Sequence, residues 1–256
     1  MTLFQALLIG VVSALTQLEG GWLGECKLRE PVVTGCLVGL ILGNVQQGLI
    51  IGAQLQMIWM GATGIGPTAQ LDIGTGGTIG TAVALMTGTG AEVAIAFGLP
   101  VAVIMQFLNT LLLTGYSGLM NKADKLIDEL KEKQIISIHF LCGFLTFLVY
   151  FSLTFIVMYY GNSAIEGIVA TIPEWANNGL AAVSKVLPAM GFALLLNILF
   201  ERDLVPYLIL GFVMAAFLGM SMVSVAAVSI ALAWIIYIIR SESTKVIESH
   251  ETKEEL

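Results

Sequence analysis

Residues 31–82 constrain this chain more than any other stretch: they are apolar enough for a membrane interior, yet too rich in glycine for one ordinary helix. Gly35, Gly39 and Gly43 stand four apart, so one helix face there is nearly bare backbone, and Gly48 and Gly52 repeat the interval in the next segment. Small residues at that spacing let helices approach closely in a bilayer, where packing holds a bundle together. From Thr63 to Thr78, Pro67 and the glycines at Gly64, Gly66, Gly74, Gly76 and Gly77 predict a mostly non-helical backbone. Irregular backbone at membrane depth needs a protein cover or a wet cavity. This stretch is the expected binding region.

Only 11% of the 256 residues are charged and 57% are hydrophobic, whereas a soluble domain carries about 25% charged residues. The composition is that of a polytopic membrane protein. Between Pro31 and Asn121 the only carboxylate or cationic side chains are Asp72 and Glu92. The net charge of −7 is spread along the chain, and no basic stripe argues for a nucleic-acid partner. Cys26, Cys36 and Cys142 have no CxxC spacing and read as free thiols, with no metal or redox site. The N-terminus lacks a basic n-region and a small-residue cleavage site, so residues 1–18 are expected to be a first membrane segment rather than a removed signal.

In chain order, an apolar segment over 2–16 leads into Gln17–Glu30, five charges and a Trp that suit the membrane interface. Residues 32–42 and 49–60 are each short of the ~20 needed for a full crossing; they form either one long helix broken at Gly43-Asn44 or the two arms of a hairpin, and Gly43-Asn44-Val45-Gln46-Gln47-Gly48 favours the hairpin. Apolar runs over 79–86 and 91–113 follow, the second interrupted by Pro100. Asn121–Gln134 is a charged helix or linker between two halves. Residues 135–160 are long enough to cross, 163–185 read as interfacial or partly re-entrant, and 186–200, 204–218 and 220–239 complete the set. The expected fold is therefore all-α: a polytopic membrane bundle over 1–240 with broken or re-entrant segments, and a polar, disordered tail over 241–256. Gly35 and Gly43 stand eight apart, as do Gly211 and Gly219, and an apolar run ending in Trp59 or Trp234 follows each pair. Transporters built on inverted repeats show such echoes, although glycine-rich apolar sequence also produces them by chance.

Asp72 is the sharpest single residue, because an ionisable group inside a membrane marks function by default. Thr68, Gln70, Thr75 and Thr78 around it offer hydroxyls and an amide for a polyhydroxylated solute; the alternative is a surface aspartate capping the next helix. Gln54, Gln56 and Trp59 form a second set. Gln56 and Trp59 share a helix face, and an amide beside an indole suits sugar hydroxyls and C–H surfaces; interhelical packing is the competing role. Gln106 and Asn109 are weaker candidates of the same kind, as is Asn197. Glu92 reads as a helix-start carboxylate, and His139 as structural. No Walker loop, nucleophile elbow or zinc motif occurs, so neither a catalytic nucleophile nor a cofactor is expected.

Across nearly its whole length the chain resembles the membrane IIC subunits of the mannose-fructose-sorbose family of the bacterial sugar phosphotransferase system. The motifs that carry the resemblance are Arg29-Glu-Pro31 with Gly35, Gly39 and Gly43-Asn44, then Gly48-Leu-Ile-Ile-Gly52-Ala-Gln-Leu-Gln56, Ala69-Gln-Leu-Asp72 and Gly77-Thr-Ile-Gly-Thr81. Asn121-Lys-Ala-Asp-Lys125, Ala170–Gly179 and Leu187-Pro-Ala-Met-Gly-Phe-Ala193 match it in the second half. Three positions depart from the family pattern: Asn44 stands for its usual Asp, Gln56 for its usual Glu, and Gln70-Leu71 for two prolines.

The resemblance implies a transport cycle that composition does not. A IIC subunit works with a IID membrane subunit and carries an extracellular hexose or amino sugar inward. A phosphorylated IIB protein, charged through IIA from phosphoenolpyruvate, then phosphorylates the sugar. It also implies an oligomeric complex in the bacterial inner membrane, surrounded by lipid, with a transport domain that moves as an elevator. Two other readings stay open at this point: an independent transporter coupled to H⁺ or Na⁺ through Asp72, and a non-transporting membrane assembly subunit.

Overall fold

The computed structural model describes residues 1–60, 71–161, 165, 167, 169, 171 and 173–254. The expectations placed on Thr63–Gln70, and on much of 162–172, fall outside them. The described residues form two compact units, Met1–Ile198 and Leu199–Leu256. In the first, α1 (Leu3–Leu18) runs into a π-turn (Glu19–Leu23) and is followed by α2 (Pro31–Leu42), α3 (Val45–Trp59), α4 (Ile73–Thr87), α5 (Ala91–Asp128), α6 (Glu132–Tyr160) and α7 (Glu174–Leu199). A 3₁₀ turn (Arg202–Leu204), α8 (Val205–Ala216) and α9 (Met222–Glu254) make up the second. Among the described residues five helical stretches are long and apolar enough to cross a membrane: Leu3–Leu23, Ala91–Asp128, Glu132–Tyr160, Glu174–Leu199 and Met222–Ile239.

The expected hairpin over α2 and α3 is present. Gly43 ends α2 in the left-handed conformation (φ 83°) that glycine adopts without strain. Asn44 then caps α3, its side chain accepting from the Gln47 N–H at 3.2 Å. Asn and Asp cap equally well, so the departure at this position costs the turn nothing. The four-residue glycine interval becomes a backbone-to-backbone seam. A Cβ on Gly35 would sit 2.5 Å from the Gly48 carbonyl oxygen, and one on Gly39 would sit 2.8 Å from the Asn44 carbonyl oxygen.

The largest departure from expectation is α4. Its glycines predict irregular chain to Thr78, yet the helix starts at Ile73, and every residue from Ile73 to Ala84 is buried. Glycine costs a helix about 1 kcal/mol relative to alanine, and here close packing outweighs that cost. A Cβ on Gly76 would lie 2.7 Å from the Gly98 carbonyl oxygen of α5 and one on Gly74 2.7 Å from Thr16 of α1. Alanine-sized helices could not come so near. α4 is thus the central element, wrapped by α1, α2, α3 and α5, with Ile79, Ala82 and Val83 packed among Ala6, Ile9, Val38, Val93 and Met158.

Outside that centre the boundaries shift in ways the sequence signals only in part. The charged segment 121–134 is the last turns of α5, a tight turn at Glu129–Lys131 and the first turn of α6. Residues 174–199 form one helix that continues through Gly179 and Pro188, where two segments were expected. Gly191 of α7 lies against the Met57 and Ile58 carbonyls of α3. Trp22 packs on α6, edge-on to Phe140 with ring centroids 5.2 Å apart, in the space that Gly143 leaves. The internal echo survives in local form only. α2 and α8 are both 12 residues long with proline in the first turn, and Gly43 and Gly219 both take left-handed backbone. Gly211, however, faces open space where Gly35 meets backbone.

Candidate functional site

An aspartate before Ile-Gly-Thr is a strong helix start, since its carboxylate can satisfy the free N–H groups of the first turn and sits at the positive end of the helix dipole. Asp72 does this for α4 and is 4% exposed. One oxygen accepts from the Thr75 N–H at 2.9 Å, the other from the Thr75 hydroxyl at 3.1 Å. The chain of hydroxyls extends further. Thr154 of α6 donates to Ser13 of α1 at 2.8 Å, and Ser13 donates to Thr75 at 3.2 Å. Each hydroxyl has one proton to give, so the series runs in a single sense and ends on the acceptor-only carboxylate. The Tyr150 phenol, on the same helix as Thr154, donates to the Met105 carbonyl of α5 at 3.3 Å. Asp72 is therefore the buried anchor of α1, α4 and α6 and not a surface cap.

Gln56 and Trp59 make the second constellation, near the end of α3. The Gln56 amide donates from Nε2 to the Glu30 carboxylate. Its Oε1 and the Trp59 Nε1 are buried without a hydrogen-bond partner among the described residues. Trp59 is 5% exposed, and its six-membered ring lies over the backbone of α4 and α5: a Cβ on Gly77 would be 3.6 Å from it and one on Gly98 3.5 Å. Thr34 of α2 reaches the same place, 3.1 Å from a Cβ on Gly77. Four helices thus meet around one indole. Gly77 is five residues beyond Asp72, about 7.5 Å along the helix at 1.5 Å per residue, so α4 carries the first constellation and packs against the second.

The remaining candidates occupy other surroundings. Thr78 donates to the Gly74 carbonyl of its own helix at 2.7 Å. Gln54 is exposed, two residues from Gln56 and so on another face of α3. Asn109 accepts from Gln17 of α1 at 2.9 Å, which ties α5 to α1, and Gln106 one turn earlier is half-buried. Glu92 lies in the first turn of α5, as its sequence context indicates. Among the described residues no group of three or more His, Cys, Asp or Glu side chains could hold a metal ion.

Several groups at these sites carried no sequence signal strong enough to single them out. Ser13, Tyr150 and Thr154 look like ordinary residues of apolar helices. Glu30 reads as one charge among five at an interface. Glu19 belongs to the same interfacial run, yet it is 1% exposed in the π-turn and accepts from the Arg29 N–H at 2.6 Å. Single π-turns recur at functional positions, but a π-turn has no motif by which to find it.

A family model described as the sorbose-specific IIC component of the PTS matches residues 3–235. The N-acetylgalactosamine permease IIC component 1 of Escherichia coli is 30% identical over 200 residues, covering 78% of this chain and 75% of that protein. A solved membrane-protein structure superposes with a TM-score of 0.84 at 28% identity, over 93% of this chain and 96% of the other. A cryo-EM structure of the mannose transporter ManYZ in complex with a microcin superposes with a TM-score of 0.59, at the same identity and coverage.

Proposed function

This chain belongs to the family of sorbose-specific IIC components of the sugar phosphotransferase system, and from that premise we propose that Gln56 and Trp59 contact the sugar it carries. The chain is an integral membrane permease subunit of a phosphotransferase complex. Its substrate is a hexose or amino sugar, a class that spans the N-acetylgalactosamine, mannose and sorbose named for its relatives. It works beside a IID subunit in the bacterial inner membrane and delivers the sugar to IIB, which receives its phosphoryl group through IIA.

The observation that carries the site is the pair of buried polar atoms without partners among the described residues, Gln56 Oε1 and Trp59 Nε1. An unsatisfied buried group costs about 1–3 kcal/mol, and a sugar that brings a donor for one and an acceptor for the other removes that cost on binding. Asp72, Thr75 and Thr78 set the start of the helix against which Trp59 packs. Gln56→Ala is expected to raise the apparent KM for sugar uptake about tenfold, the equivalent of one lost hydrogen bond. Uptake kinetics in cells that carry the partner subunits measure this; an unchanged KM would assign Gln56 to packing.

A further inference from the structure

Resting on the reading of Gln56 and Trp59 as sugar-facing, we propose that Glu30 is a positioning residue that fixes which end of the Gln56 amide meets the sugar. A carboxylate offers acceptors only, so Gln56 must turn its NH₂ toward Glu30 and its carbonyl oxygen away. Without such a partner an amide can rotate by 180° and present either a donor or an acceptor. With it, Gln56 presents an acceptor. Trp59 Nε1, three residues on along the same helix face, is a donor by its chemistry. The site therefore holds a buried acceptor and a buried donor of set sense. It selects a ligand group whose own proton reaches Gln56, a hydroxyl or an amide N–H.

Glu30 is itself well held. Its carbonyl accepts from Val33 at 2.9 Å and Thr34 at 3.0 Å as α2 begins, and Pro31 follows with its restricted φ. Gly52 of α3 sits directly against the Pro31 carbonyl, with no room for a Cβ. Gln56 lies one helical turn beyond Gly52. The glycine contact thus sets the distance across which glutamate and amide meet.

The test is competition for uptake by monofluoro-deoxy analogues of mannose and N-acetylgalactosamine, in cells expressing the full chain with its partner subunits. Fluorine removes a hydroxyl's proton and leaves a weak acceptor. In the unaltered chain one analogue is expected to compete about tenfold worse than its parent sugar, the worth of one donor. In Glu30→Gln that ratio should fall to about threefold or less, because the amide can then turn and offer its NH₂. Glu30→Asp keeps the charge at the start of α2 but shortens the reach, and should lose the ratio equally. Glu30→Gln combined with Gln56→Glu restores an acceptor facing the sugar and should restore the preference. A ratio unchanged in both Glu30→Gln and Glu30→Asp overturns the proposal. Loss of affinity in Gln56→Ala alongside that unchanged ratio would overturn it while leaving the site in place. Should Gln56→Ala itself have no effect, both fall together.

Discussion

Asp72→Ala is expected to abolish sugar uptake while the chain still inserts in the membrane. The substitution deletes both acceptors that hold Thr75, and it leaves a buried N–H and the proton of a buried hydroxyl without an acceptor. Each such group costs about 1–3 kcal/mol, and the lost N–H bond is the one that caps α4. The damage is local to the start of α4, where Ser13 and Thr154 bring α1 and α6 onto the same hydroxyl chain. The five long apolar stretches that direct insertion are untouched. Asp72→Asn keeps an acceptor for the Thr75 N–H and should retain part of the activity. Uptake of radiolabelled sugar, scaled to the amount of chain in the membrane, measures both variants. Full uptake by Asp72→Ala would remove the residue from the site.

Gly48→Ala should have the second large effect, on stability. The added Cβ would overlap the Gly35 carbonyl oxygen and lie 2.8 Å from the Gly39 Cα. Both obstacles are backbone and neither can rotate aside, so α2 and α3 would have to separate. Overpacking of this kind costs about 1–3 kcal/mol, which corresponds to a fall in the unfolding midpoint of at least ~2–4 °C for a chain of this size. Gly211→Ala provides the opposite sign, since a Cβ there meets nothing within 4 Å and alanine favours a helix interior by about 1 kcal/mol. Thermal unfolding of the full chain in detergent tests the pair. Equal midpoints for Gly48→Ala and the unaltered chain would mean that the hairpin is not closely packed.

The α2–α3 hairpin could be read from the sequence because both of its causes are local: glycines four apart and a Gly-Asn turn. α4 could not. Its glycines lower helix propensity, while the benefit they bring, contact with Gly98 and Thr16, comes from residues distant in the chain. For the same reason α7 survives Gly179 and Pro188, which by themselves argue for a break. Asp72 stood out as the one carboxylate deep in an apolar region, and its capping role followed from the residues after it. Its burial did not, because Ser13 and Thr154 are 141 residues apart. Gln56 and Trp59 were visible as a pair at helical spacing. The partner that orients the amide was not, since Glu30 reaches it across the hairpin, 26 residues away.

The central claim is that this chain moves sugar as one subunit of a phosphotransferase complex, and sugar phosphate accumulation tests it most directly. Cells lacking other sugar permeases would express the chain with and without IID, IIA and IIB partners, over a panel including mannose, N-acetylgalactosamine and sorbose. The expected result is sugar phosphate that appears only when the partners and phosphoenolpyruvate are both present. Accumulation of free sugar by this chain alone, lost when ion gradients are collapsed, would contradict the account and make it an ion-coupled transporter.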